Sequence, residues 1–144
     1  MTIEQRRSKR TDDFLPIEIR VVHELDGREL AGPFSGRIID ISTGGACLLM
    51  SQIMVHAFHV FYSTRETDHA VLQLIIDLQP DGGRHVLTAR PVWMSNFRQN
   101  AIRAFKMGVE FTEDSGAVQM RILRAALYKH QKARGAWWRQ HCRV

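Results

Sequence analysis

Three arginines lie within five residues near the N-terminus, at Arg6, Arg7 and Arg10. A guanidinium group is planar and carries a fork of N–H donors that fits phosphate and other paired acceptors. The cluster is therefore suited to an anionic ligand. A basic tail that binds nothing would have the same composition, and these residues alone leave that alternative open.

A second group of candidate residues follows about thirty positions later, where residues 40–45 read Asp-Ile-Ser-Thr-Gly-Gly. The carboxylate of Asp40 only accepts hydrogen bonds, whereas the hydroxyl of Ser42 can donate or accept. Gly44 and Gly45 allow a ligand to approach the backbone where a Cβ would clash. An ordinary hairpin turn uses the same residue types, with Asp and Ser capping backbone amides and glycine at positive φ.

The sequence contains none of the motifs that mark common enzyme classes, such as a nucleophile elbow, a phosphate-binding glycine loop or HExxH. His56 and His59 are spaced to share a helical face, but no further ligand at metal spacing accompanies them. Cys47 and Cys142 lie far apart in the sequence and have no metal-ligand spacing, so we expect two reduced thiols, as in cytoplasmic proteins. We therefore expect a non-enzyme without cofactor or metal.

Charge is unevenly distributed along the chain, whose net charge is +5. Residues 116–144 contain seven basic and no acidic side chains, which suits an acidic partner or simply a solvated surface. No apolar run approaches the roughly 20 residues of a membrane helix, and the polar N-terminus lacks the apolar core of a secretory signal. The expected location is the cytoplasm.

A two-residue period of apolar side chains dominates residues 15–113 and predicts half-buried strands. Turn residues separate six such strands, and no long helical pattern lies between them. The chain is therefore expected to be mainly β, with six antiparallel strands that suffice to close a barrel. The predicted strands cover residues 17–21, 34–41, 46–50, 72–78, 85–94 and 105–111.

Two regions depart from this period. Residues 51–70 fit either a hairpin, with strands at 60–63 and 70–77, or a short helix over 53–61, and the pattern does not decide between them. From residue 115 the period becomes helical, with Asp114 or Ser115 as the cap and Gly135 expected to end or kink the helix. Its apolar stripe is predicted to consist of Val118, Ile122, Leu123, Ala126 and Leu127.

In combination, the two candidate segments resemble the PilZ domain family. The arginine pattern RRxxR stands before the first strand, and DxSxxG joins two later strands, as in that family. Residues 37–40 and 45–49 flank the second motif in the family's manner, and residues 89–93 and 108–111 look like its late and closing strands. The resemblance covers roughly residues 5–113 in order.

This resemblance implies a six-stranded antiparallel barrel that binds cyclic di-GMP and relays the signal through protein contacts, without chemistry. The domain plan is an arginine arm (1–14), a barrel (15–113) and a basic C-terminal helix and tail (114–144), which is the expected contact for an unidentified downstream protein. Residues 51–70 are longer than the family's usual connection at that point. The implied ligand-binding residues are Arg6, Arg7, Arg10, Asp40, Ser42, Gly44 and Gly45.

The residue types also fit that ligand chemically. Guanine presents O6 and N7 as adjacent acceptors for a guanidinium fork. Asp40 complements the guanine N1–H and N2–H₂ donors or else orients an arginine. Trp93 is predicted to pack near the ligand pocket or under the mouth of the barrel, with ligand stacking as a second possibility.

The main alternative is a small barrel that binds single-stranded nucleic acid through the same arginines. Such proteins display aromatic side chains on an exposed sheet face. Phe105 and Phe111 are expected on the core-facing side instead, which disfavours this function. A PilZ scaffold that has lost ligand binding is a third reading, disfavoured because both motifs are intact.

Overall fold

The computed structural model describes residues 14–78, 82–99, 102–113 and 116–141, and side chains in these ranges other than those of 97–99, 102 and 130–141. The elements in chain order are β1 (Leu15–His23), β2 (Glu29–Ile41), β3 (Gly45–Met50), β4 (Met54–Val55), β5 (Phe58–His59), α1 (Tyr62–Glu66), β6 (Ala70–Asp77), β7 (Arg84–Gln99), β8 (Ile102–Phe111) and α2 (Ala117–His141).

Six of the strands form a closed barrel in the order β1-β2-β3-β8-β7-β6, with β1 pairing to β6 to complete the ring. Every pairing in the barrel is antiparallel. The predicted barrel with a C-terminal helix is confirmed. Strands β2 and β7 are longer than predicted, since β2 begins at Glu29 and β7 runs to Gln99.

The barrel interior is filled by every second residue of its strands, because successive side chains of a strand point to opposite faces. Ile19, Phe34 and Ile38 are completely buried there, as are Leu72 and Leu74 of β6. These side chains belong to one continuous apolar cluster. The alternation read from the sequence is therefore largely the pattern of burial, although Val71 and Ile75 on the other face of β6 are buried as well.

The segment after β3 contains a two-stranded sheet, β4 with β5, followed by the short helix α1. The predicted helix over 53–61 and the predicted strand at 60–63 are therefore wrong, whereas the strand predicted at 70–77 is confirmed as β6. His56 has a φ of 55°, which allows the tight turn between β4 and β5. Val60 and Phe61, which interrupt any simple period, are buried in the main core. Packing against the barrel core, rather than local sequence periodicity, thus determines the conformation of residues 51–70.

Helix α2 packs on β1 and β2 through one apolar face. Met120, Leu123 and Leu127 are buried, whereas Val118 is 65% exposed, so its placement in the apolar stripe was wrong. At 3.6 residues per turn, Val118 lies roughly 140° around the helix from Leu123. Ile122 and Ala126 are half-buried beside the docking face.

The same helix continues past Gly135 to His141, so the predicted end at Gly135 was also wrong. A glycine inside a helix costs about 1 kcal/mol relative to alanine and does not by itself terminate it. Asp114 and Ser115, the predicted caps, lie outside the described residues. No helix in the described part of the chain is long and apolar enough to cross a membrane.

Candidate ligand-binding groove

An open groove of about 610 Å³ lies on the outer face of the barrel, over β2, β3, β8 and β7. The predicted residues Asp40, Ser42, Gly44 and Gly45 all line it. Residues 6, 7 and 10, the predicted arginines, lie outside the described residues. The groove therefore brings together the four predicted site residues that the structure describes.

The floor of the groove is a row of paired residues across four strands. Asp40 of β2 pairs with Cys47 of β3, Cys47 pairs with Gly108 of β8, and Gly108 pairs with Trp93 of β7. Directly paired residues of neighbouring strands point to the same face of the sheet. The carboxylate and the indole therefore stand at opposite ends of one row.

The turn between β2 and β3 is fixed by backbone hydrogen bonds. The N–H of Ser42 donates to the carbonyl oxygen of Gly45 at 2.8 Å, and the N–H of Phe111 donates to that of Gly44, also at 2.8 Å. Neither glycine of this turn has positive φ, so that part of the ordinary-turn alternative was wrong.

The two glycines of the turn serve different purposes. A Cβ on Gly45 would lie 2.2 Å from the carbonyl oxygen of Val109, so the close approach of β8 requires glycine there. A Cβ on Gly44 would meet nothing within 4 Å. Gly45 thus sets the geometry of the barrel, whereas Gly44 faces space that a ligand can occupy.

Trp93 packs over Gly108 at the edge of the groove. A Cβ on Gly108 would lie 2.1 Å from the indole Nε1, so the ring occupies the space that a larger side chain would take. Trp93 is nevertheless 44% exposed. The predicted packing of Trp93 near the pocket is confirmed, and its indole retains exposed surface beside the groove.

The sequence matches the family model of the PilZ domain over residues 4–129. The chain belongs to the PilZ domain family. A comparison with curated proteins gave no significant match.

Two solved structures also resemble this PilZ domain. The Borreliella burgdorferi PlzA protein in complex with c-di-GMP matches with a TM-score of 0.49 and 14% identity, over 92% of this chain and 50% of that chain. MrkH of K. pneumonia in its apo state matches with a TM-score of 0.44 and 16% identity, over 81% of this chain and 47% of that chain. The chain spans about half the length of these solved chains.

The described lining of the groove in this PilZ domain is acidic. Its charged side chains are those of Asp40 and Glu110. Burial raises the pKa of the Cys47 thiol, the positive charge of Lys106 opposes that rise, and Asp40 adds to it. The thiol on the floor is therefore neutral near pH 7. An anionic ligand in this groove needs cations from outside the described lining.

The turn of the groove also contacts helix α2. Nη2 of Arg124 donates a hydrogen bond to the Thr43 hydroxyl oxygen at 3.0 Å. Thr43 sits between Ser42 and Gly44, both of which line the groove. One short turn therefore connects the candidate site to the C-terminal helix.

Cys47, Gly108 and Glu110 are among the lining residues that were not sequence candidates. Their signal is the strand register, since alternate positions of β3 and β8 share the face of Asp40. Phe105 and Phe111 pair with the core residues Met50 and Ala89, so both are on the inner side as expected.

Proposed function

We propose that this PilZ domain is a receptor for cyclic di-GMP and has no catalytic activity of its own. The observation that carries the proposal is the convergence of Asp40, Ser42 and Gly44 on one open groove, with the exposed indole of Trp93 at its edge. Three arginines precede the barrel in the sequence. These groups match the phosphates, base edges and flat faces of such a ligand.

Each group has a chemical role in this proposal. The carboxylate of Asp40 accepts from the N1–H and N2–H₂ donors of guanine or orients an arginine. Trp93 offers an aromatic face for base stacking. Arg6, Arg7 and Arg10 supply the positive charge that the described lining lacks, and their forks fit both phosphate and the guanine O6 and N7 acceptors.

Calorimetric titration tests the proposal directly. We expect cyclic di-GMP to bind, and linear or mononucleotide guanine compounds and single-stranded oligonucleotides to bind far more weakly at moderate salt. Asp40→Asn removes the charge with little change in shape and should weaken binding. Asp68→Asn is the matched control, because Asp68 is exposed on the loop before β6, outside the groove.

No heat change with cyclic di-GMP at high micromolar concentration would refute the proposal. Tighter binding of an oligonucleotide would instead favour the nucleic-acid alternative. If Asp40→Asn and Asp68→Asn changed the affinity equally, the groove would not be the binding site.

We further propose that α2 is the output element of the receptor. The hydrogen bond from Arg124 to Thr43 supports this, because it joins the helix to the turn that lines the groove. The sequence of the helix and tail is strongly basic, so the partner we favour is an acidic protein surface. We accordingly propose three segments: an arginine arm (1–14) that contacts the ligand, a barrel (15–113) that carries the groove, and a helix and tail (114–144) that contact the partner.

A further inference from the structure

Strand β7 contains an irregularity next to Trp93. Pro91 pairs with Val109 and Trp93 pairs with Gly108, so Val92 is an extra residue between two consecutive partners. Such a β-bulge interrupts the ladder of hydrogen bonds and redirects nearby side chains. The bulge is therefore part of what sets the position of the indole over Gly108.

The carbonyl groups of this bulge have a partner in α1. Nη1 of Arg65 donates to the carbonyl oxygens of both Pro91 and Val92, each at 3.1 Å. One guanidinium nitrogen carries two hydrogens, so a single group can serve both acceptors. Arg65 thus holds two consecutive carbonyls at the irregular point of the strand.

The arginine itself is anchored by the core. Its guanidinium carbon lies 5.2 Å from the centre of the Phe61 ring, a distance suited to cation–π attraction. Phe61 is 8% exposed and belongs to the main apolar cluster. The segment between β3 and β6 therefore places a guanidinium donor against the Val92 bulge beside Trp93.

We propose that Arg65 is a positioning residue for ligand recognition, which acts by holding the Val92 bulge so that Trp93 lies over Gly108 and borders the groove. This inference rests on the proposed cyclic di-GMP function and adds a residue outside both sequence motifs. It also assigns a role to residues 51–70, the segment in which this chain exceeds the usual length of the family's connection.

The test uses a protein in which Trp137 and Trp138 are replaced by phenylalanine, so that Trp93 is the sole tryptophan. Arg65→Met removes the donors while keeping much of the side-chain length, and Arg65→Lys restores the charge without the fork. Glu66→Gln is the matched control on the same short helix. Iodide quenching of Trp93 is measured without ligand, and the Kd of cyclic di-GMP is measured by calorimetry.

We expect Arg65→Met to increase the quenching of Trp93 and to weaken binding about tenfold, the effect of losing roughly one hydrogen bond from the bound geometry. Arg65→Lys should recover part of both changes, and Glu66→Gln should change neither. In a Trp93→Ala background, Arg65→Met should cause little further loss of affinity, because its effect passes through the indole.

Unchanged quenching in Arg65→Met, or a loss of affinity that persists fully in the Trp93→Ala background, would overturn the inference. If Arg65→Met fails to fold, as judged by its circular dichroism, Arg65→Lys provides the same comparison. The quenching measurement needs no ligand. Failure of the parent protein to bind cyclic di-GMP would therefore refute the proposed function separately from the positioning of Trp93.

Discussion

Adjacent glycines in the turn between β2 and β3 should respond to the same substitution in opposite ways. In Gly45→Ala the new Cβ lies 2.2 Å from the carbonyl oxygen of Val109, about 1.2 Å short of the 3.4 Å at which ordinary contact begins. The obstacle is backbone, so β3 and β8 must separate. We expect a loss of about 1–3 kcal/mol in the free energy of unfolding, the usual cost of overpacking.

Gly44→Ala is the matched control, because its Cβ meets nothing within 4 Å and its φ is not positive. It should leave stability within about 0.5 kcal/mol of the parent, as surface substitutions usually do. The affinity for cyclic di-GMP should fall instead, since the added methyl group enters space beside the groove.

Denaturant unfolding followed by circular dichroism measures the first effect, and calorimetric titration measures the second. For a domain of this size, 2 kcal/mol corresponds to a fall in Tm of roughly 7 °C. Unfolding of Gly45→Ala at the same denaturant concentration as the parent protein would refute the expected backbone clash. Destabilisation of Gly44→Ala as strong as that of Gly45→Ala would refute it too.

Three further outcomes are expected. Arg10→Ala should weaken cyclic di-GMP binding by roughly 1–3 kcal/mol in calorimetry, and Arg10→Lys should recover little because a point charge lacks the fork; binding by either variant as tight as that of the parent would contradict this. Removal of residues 129–144 should leave ligand affinity unchanged but abolish signalling in cells, and intact signalling would exclude the tail as output. In a Cys142→Ser protein, Cys47 should react with iodoacetamide more slowly than a free thiol at pH 7 and faster as pH rises, because burial raises its pKa; reaction at the free-thiol rate would refute this.

The barrel was predictable because a strand that is buried on one face has apolar residues at alternate positions of its sequence. Ile17, Ile19 and Val21 alternate with less buried neighbours in the sequence, and all three are buried in β1. Val60 and Phe61 follow no such period, since they reach the core from a short connection. Their contacts depend on the surrounding barrel, so local sequence patterns misplaced the helix and the first strand of the hairpin, although the second strand at 70–77 was correct.

The turn of the candidate site was predictable for a similar reason, because its motif is local. Cys47 and Gly108 lie beside Asp40 because of the register between strands, and a single sequence does not reveal that register. Arg65 donates a hydrogen bond to the carbonyl oxygen of Pro91, 26 residues later in the chain, and the sequence around Arg65 does not indicate that partner. Long-range geometry is therefore what sequence reasoning lacked.

Closure of the barrel has a consequence for how any partner can recognise it. Because β1 pairs with β6 as well as with β2, each strand of the ring has a neighbouring strand on both sides in the described residues. An open edge is a template to which an extended peptide can add as a further strand. No strand of the ring leaves a whole edge open to that mode of recognition. A partner that engages the ring where its strands are paired on both sides must therefore contact side chains on the outer surface.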